Sequence, residues 1–103
     1  RVSKKNSLED CLFSSNHEGV KLSNLNMRCS GSAALDLAYV ASGRLDGYFQ
    51  NKINLWDVAA GVLMVKEAGG IVNDISKFDI NNIDIKASSA TIYDKMLENL
   101  DNF

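Results

Sequence analysis

Gly31-Ser32-Ala33-Ala34-Leu35-Asp36-Leu37-Ala38-Tyr39-Val40-Ala41-Ser42-Gly43 holds a single charged residue, Asp36. Wound as a helix from Ser32 to Ser42, this stretch carries apolar surface round nearly its whole circumference, as in a helix buried between layers. Gly43 is a natural stop, because glycine takes the left-handed conformation after a helix end without a Cβ clash. Trp56-Asp57-Val58-Ala59-Ala60-Gly61 opens a second helix of the same kind, spanning roughly Asp57 to Ala68 and ended by Gly69-Gly70. Two helices apolar on every side need cover from both directions, which 103 residues can hardly supply. The expectation is a layered α/β unit that forms part of something larger. The opening Arg1-Val2-Ser3, without an initiator Met, reads as if cut from a longer polypeptide.

Working outward, Ser7-Leu8-Glu9-Asp10 reads as a short helical turn with a hydroxyl at its cap, followed by a short strand at Cys11-Leu12-Phe13-Ser14. Asn16 to Asn26 is polar and without periodicity, and is expected to be loop. After the turn Arg44-Leu45-Asp46-Gly47, Tyr48-Phe49 starts a strand, since aromatic residues favour pleated surfaces. Ile71-Val72-Asn73-Asp74 reads as another, and Ile83-Asp84-Ile85-Lys86-Ala87 alternates as a strand does. Ala90 to Asn102 predicts a last helix whose stripe, Ile92, Met96, Leu97, Leu100 and Phe103, covers one face of the sheet. Short strands alternating with buried helices define a layered α/β class.

Composition excludes several functions. The formal net charge is −2, and Ser3-Lys4-Lys5-Asn6 holds the only basic cluster, so no nucleic-acid footprint is present. No stretch approaches the ~18–20 apolar residues of a membrane span, and no signal peptide is visible. Cys11 and Cys29 do not make a disulfide framework; they read as reduced, buried thiols of a cytoplasmic protein. His17, alone in the polar loop without a partner ligand, reads as exposed.

Two positions invite chemistry. Gly31-Ser32-Ala33 opens the first helix, where unpaired N–H groups favour oxygen-rich ligands and glycine allows close approach. Ser30 or Ser32 fits equally well as an ordinary N-cap. Asp57, at the mouth of the second helix, reads either as an N-cap or as a ligand for a hard cation. Mg²⁺ is often held by only one or two carboxylates together with substrate phosphate oxygens.

The run Gly31 to Gly43, then Asp46-Gly47-Tyr48-Phe49, then Trp56-Asp57-Val58-Ala59-Ala60-Gly61 and Glu67-Ala68-Gly69-Gly70 closely resembles the inositol monophosphatase family, densely over about Arg28 to Asp74. The bacterial members of the suppressor type are the best match. The resemblance implies the C-terminal half of that layered fold, with a mixed sheet flanked by buried helices, the N-terminal half being absent from residues 1–103. It further implies hydrolysis of phosphate monoesters of inositol or related polyols with Mg²⁺, inhibition by Li⁺, and a homodimer. Asp57 is then a metal ligand that also meets the substrate. The backbone of Gly31, Ser32 and Ala33 contacts the sugar-like ring.

Two departures stand out. Gln50 occupies the position where the family usually has a Glu that accepts from an inositol hydroxyl; an amide still accepts but carries no charge. The segment Ser15 to Asn26 is short and lacks the family's Gly-Phe-Pro-like run, which implies a reduced pocket wall or dimer contact. The family's remaining carboxylates lie in a Glu-containing motif and an Asp-Pro-x-Asp-Gly motif N-terminal to this segment, and neither occurs here. The expected activity therefore belongs to an intact protein, the isolated chain being inactive. The rival expectation is a non-catalytic role as a partner of the transcription machinery, by protein contact rather than direct RNA contact. Phosphatase action on a nucleotide or sugar bisphosphate is a further alternative.

Overall fold

In a computed structural model, residues 1–15, 25–28 and 30–100 are described. A 3₁₀ turn, Leu8–Asp10, leads into β1 (Leu12–Ser14), β2 (Asn26–Arg28), α1 (Ala33–Ala41), β3 (Gly47–Ile53), α2 (Leu55–Glu67), β4 (Ile71–Val72), β5 (Ile83–Ser88) and α3 (Tyr93–Glu98). The five strands form one mixed sheet in the order β2-β1-β3-β5-β4. β1 pairs in parallel with both β2 and β3, while β5 runs antiparallel to its neighbours β3 and β4.

Successive strand side chains face opposite ways, so Tyr48 and Phe49, adjacent on β3, enter different cores. Tyr48, with Ile83, Ile85 and Ala87 of β5, packs under α1 and α2 against Leu37, Val40, Val58, Val62 and Val65. Phe49 and Phe13 pack on the other face against Ile92, Met96 and Leu100. The result is three layers, with α1 and α2 above the sheet and α3 below it. Gly61 allows the upper layer to close: a Cβ there would lie 2.5 Å from Leu37 Cβ.

The strands expected at Cys11 to Ser14, Tyr48-Phe49, Ile71 to Asp74 and Ile83 to Ala87 are present, the first starting at Leu12 and the third ending at Val72. The last helix packs on the face assigned to it but spans Tyr93–Glu98, shorter than the expected Ala90 to Asn102. Gly43 and Gly69 end their helices at φ +81° and +94°. Several expectations need correction. Asn26 begins a strand, because its segment finds the open edge of β1. Ser7 makes no side-chain cap, and the extended backbone at Cys11 ends the turn after one hydrogen bond to Leu8. Neither central helix is buried all round. Trp56 is 79% exposed, Leu63 58% and Leu35 43%, since the single sheet covers only one side of the pair. His17, Cys29, Phe103 and most of the expected loop lie outside the described residues. Among those described, no helix is long and apolar enough to cross a membrane.

Candidate functional site

The sheet brings the two helix starts together. β2 and β3 run parallel, both flanking β1, and each is followed by a helix. α1 and α2 therefore both begin at the carboxyl end of the parallel strands, the usual place for a ligand crevice in such sheets.

At the first mouth Gly31 adopts φ +82°, and a Cβ there would meet nothing within 4 Å. Conformation, not space, is what glycine supplies here. Ser30 braces the turn: its Oγ accepts from Ser32 N at 3.1 Å and donates to the Ser32 carbonyl at 3.2 Å. Ser32 is the N-cap, its Oγ accepting from Leu35 N at 3.2 Å. The first intrahelical bond runs from Asp36 N to the Ser32 carbonyl, 3.0 Å. The N–H groups of Ala33 and Ala34 come before it and have no partner within the helix.

At the second mouth the cap is Asn54, not Asp57. Asn54 Oδ1 accepts from Trp56 N at 2.9 Å, and its Nδ2 donates to Asn81 Oδ1 at 3.1 Å. The helix thus starts at Leu55, two residues earlier than the sequence suggested, and Asp57 sits inside the first turn. Asparagine caps as well as aspartate does, so Asn54, which the sequence reading passed over, takes that role. The Asp57 carboxylate is left exposed, with no hydrogen-bond partner among the described residues.

Gly31, Ser32, Ala33, Gln50 and Asp57 all line one cleft of about 460 Å³. Every site residue singled out in the sequence is therefore brought together. Ala34, Ile53 and Trp56 complete the lining; Ala34 and Trp56 neighbour residues already chosen, whereas Ile53, three residues after Gln50, would face the other way in a regular strand. Gln50 lies just before an irregularity in β3. Gln50 pairs with Ile85 and Ile53 with Ile83, so β3 has one extra residue against β5. Lys52 takes a left-handed φ of 57°, and Asp84 Oδ1 accepts from its N–H at 3.3 Å. Such bulges re-aim side chains beside functional sites. No glycine marks this one, so no local pattern announces it.

Among the described residues the cleft holds one charged side chain, Asp57 in the first turn of α2, and both helix N-termini have dipoles that favour anions. A carboxylate is a hard oxygen donor and the helix N–H groups are oxyanion donors, so the arrangement suits a cation and an oxygen-rich anion side by side. Among the described residues no three His, Cys, Asp or Glu side chains gather as a metal cluster. Cys11 stands apart: burial, with a smaller contribution from Asp46, pushes its thiol up to about 11, as for an inert structural cysteine.

The inositol monophosphatase family pattern matches residues 1–102. An α/β layer of this kind, with its paired helix starts, thus defines the class, and the chain belongs to the inositol monophosphatase family. It is 59% identical over 61 residues to the Nus factor SuhB of Xylella fastidiosa, covering 59% of this chain and 22% of that protein. To the inositol-1-monophosphatase of Synechocystis it is 49% identical over 76 residues, covering 72% and 26% respectively. The crystal structure of the extragenic suppressor protein suhB from Bartonella henselae superposes with a TM-score of 0.86 at 40% identity, covering 99% of this chain and 47% of that one. The inositol monophosphatase of Anabaena gives 0.84 at 35%, covering 97% and 48%. The chain spans less than half the length of these solved relatives.

Proposed function

We propose that this chain is the C-terminal portion of a Mg²⁺-dependent phosphomonoesterase acting on inositol monophosphate or a related small phosphate ester. The observation that supports this reading is the shared cleft, in which the Asp57 carboxylate stands with the α1 mouth and Gln50. Asp57 fits one oxygen ligand of Mg²⁺, an ion commonly held by few protein carboxylates. The other carboxylates have to come from outside residues 1–103. When bound, the metal supplies charge stabilisation to the phosphoryl group and an acidified water. The chain's own part is to bind and orient. Asp57 holds the ion, the Ala33 and Ala34 N–H groups meet substrate oxygens, and the Gln50 amide accepts from a polyol hydroxyl.

The test is Asp57→Asn in the full-length polypeptide that carries this segment, assayed for Mg²⁺-dependent phosphate release from inositol 1-phosphate. Losing a residue that merely supports a metal ligand costs roughly 10–100-fold, so losing the ligand itself should cost at least that. Wild-type turnover in Asp57→Asn would sink the reading. Residues 1–103 alone should show no turnover. Gln50→Glu should improve selectivity for inositol phosphate over p-nitrophenyl phosphate by about tenfold, the worth of a charge-assisted hydrogen bond; an unchanged ratio would remove Gln50 from the substrate contact.

The Nus factor name of relatives such as that of Xylella fastidiosa supports a second role, as a protein partner in the transcription machinery. Binding that survives Asp57→Asn would separate that role from catalysis.

A further inference from the structure

Asp36 is the only charged residue of α1, and it is 1% exposed. Its Oδ2 accepts from Ser14 Oγ at 2.7 Å, and Ser14, on β1, is itself fully buried. Its Oδ1 has no hydrogen-bond partner among the described residues. Burying a carboxylate on one hydrogen bond is costly, and an apolar residue packed there would cost the fold less. Stability alone does not explain the acid.

Its place in the helix does. The Asp36 N–H donates to the Ser32 carbonyl, closing the first turn of α1. One residue therefore grips β1 with its side chain and the α1 mouth with its backbone. β1 lies beside β3, the strand that carries Gln50 into the cleft. A charge-assisted hydrogen bond is shorter, stronger and more directional than apolar contact, so it fixes the helix along its axis where packing alone would let it slide.

We propose that Asp36 and Ser14 are positioning residues of the cleft. Their hydrogen bond locks the first turn of α1 against β1 and so sets where Gly31, Ser32 and Ala33 stand opposite Asp57. Neither residue lines the cleft; both act through Ser32. The proposal rests on the reading of the cleft as a phosphate-ester site.

The test uses the full-length polypeptide carrying this segment, with Ser14→Ala, Ser14→Thr, Asp36→Asn and Asp57→Asn compared on inositol 1-phosphate. Because the mouth meets the substrate rather than the metal, Ser14→Ala should raise KM about tenfold, with kcat at saturation changed less than about threefold. Ser14→Thr, which keeps the hydroxyl, should restore KM. In the amide spectrum of the chain the Gly31 and Ser32 resonances should shift in Ser14→Ala and return in Ser14→Thr. If Ser14→Ala fails to fold, Asp36→Asn, which keeps the acceptor but removes its charge, should raise KM about threefold. A folded Ser14→Ala or Asp36→Asn protein with wild-type KM overturns the proposal. So does a loss of kcat alone in proportion to the active fraction. If Asp57→Asn abolishes turnover while these variants leave KM unchanged, the positioning role alone fails. If Asp57→Asn retains turnover, the reading beneath it fails and takes this proposal with it.

Discussion

Asp36 and Asp57 occupy nearly the same station on two helices that start side by side, each inside the first turn. Both gain from the helix dipole. Yet one is 1% exposed and held by a serine hydroxyl, while the other stands open in a cleft. The difference lies in what is behind each helix. α1 turns its acid toward β1, where Ser14 offers a donor, and there the charge becomes a tether. α2 turns its acid away from the sheet, and there the charge stays available to a ligand. The same residue type in the same local structure thus meets opposite surroundings, decided by tertiary placement alone.

Breaking the tether should give the largest effect. Ser14→Ala leaves a buried carboxylate without its donor and should destabilise the chain by about 3 kcal/mol, read from urea unfolding by circular dichroism. A loss below about 1 kcal/mol would mean that Asp36 does not depend on Ser14, and the contrast between the aspartates would collapse. Gly61→Ala tests the close contact midway along α1 and α2 that packs the two helices together. The added methyl would lie 2.5 Å from Leu37 Cβ, and the overpacking should cost about 2 kcal/mol despite alanine's better helix propensity. Lys52→Gly should work in the opposite direction, raising stability by about 1 kcal/mol, because glycine takes the left-handed backbone without the Cβ strain. A lower melting temperature would show that the bulge needs the lysine side chain. The smallest effect belongs to Asp57→Asn, expected to lower stability by less than about 0.5 kcal/mol, the share of an exposed acid in a helix dipole. A loss as large as that of Ser14→Ala would mean that Asp57 too is structural.

Much of this was legible in the sequence, for physical reasons that differ by element. The cores of α1 and α2, the alternation of Ile83, Ile85 and Ala87, and the glycine stops are local patterns, and local patterns carry their own signal. The cleft residues Gly31, Ser32, Ala33, Gln50 and Asp57 were legible through the resemblance to the inositol monophosphatase family; local pattern alone left the first three and Asp57 open between cap and ligand, and did not single out Gln50. β2 was not, because Asn26-Met27-Arg28 is a three-residue edge strand that exists only through its pairing with β1. The exposure of Trp56 and Leu63 was hidden too, since periodicity shows how apolar a face is but not whether anything covers it. Asn54 was not legible because Asn54 and Asp57 are both competent caps, and only the backbone path into α2 selects the earlier one. The burial of Asp36 depends on Ser14, far away in sequence, and no local rule could reach it.

The strand order has a consequence for how the chain is made. β5 sits between β3 and β4, yet about 35 residues separate the end of β3 from the end of β5. At the usual pace of synthesis those residues take roughly 2–7 s to appear. Until they do, β3 has only β1 beside it, and the apolar undersides of α1 and α2 lack the Ile83, Ile85 and Ala87 surface that will receive them. The ribosome thus holds an amphipathic helix pair with half a floor for seconds, a window in which a chaperone or a neighbouring nascent chain competes with β5.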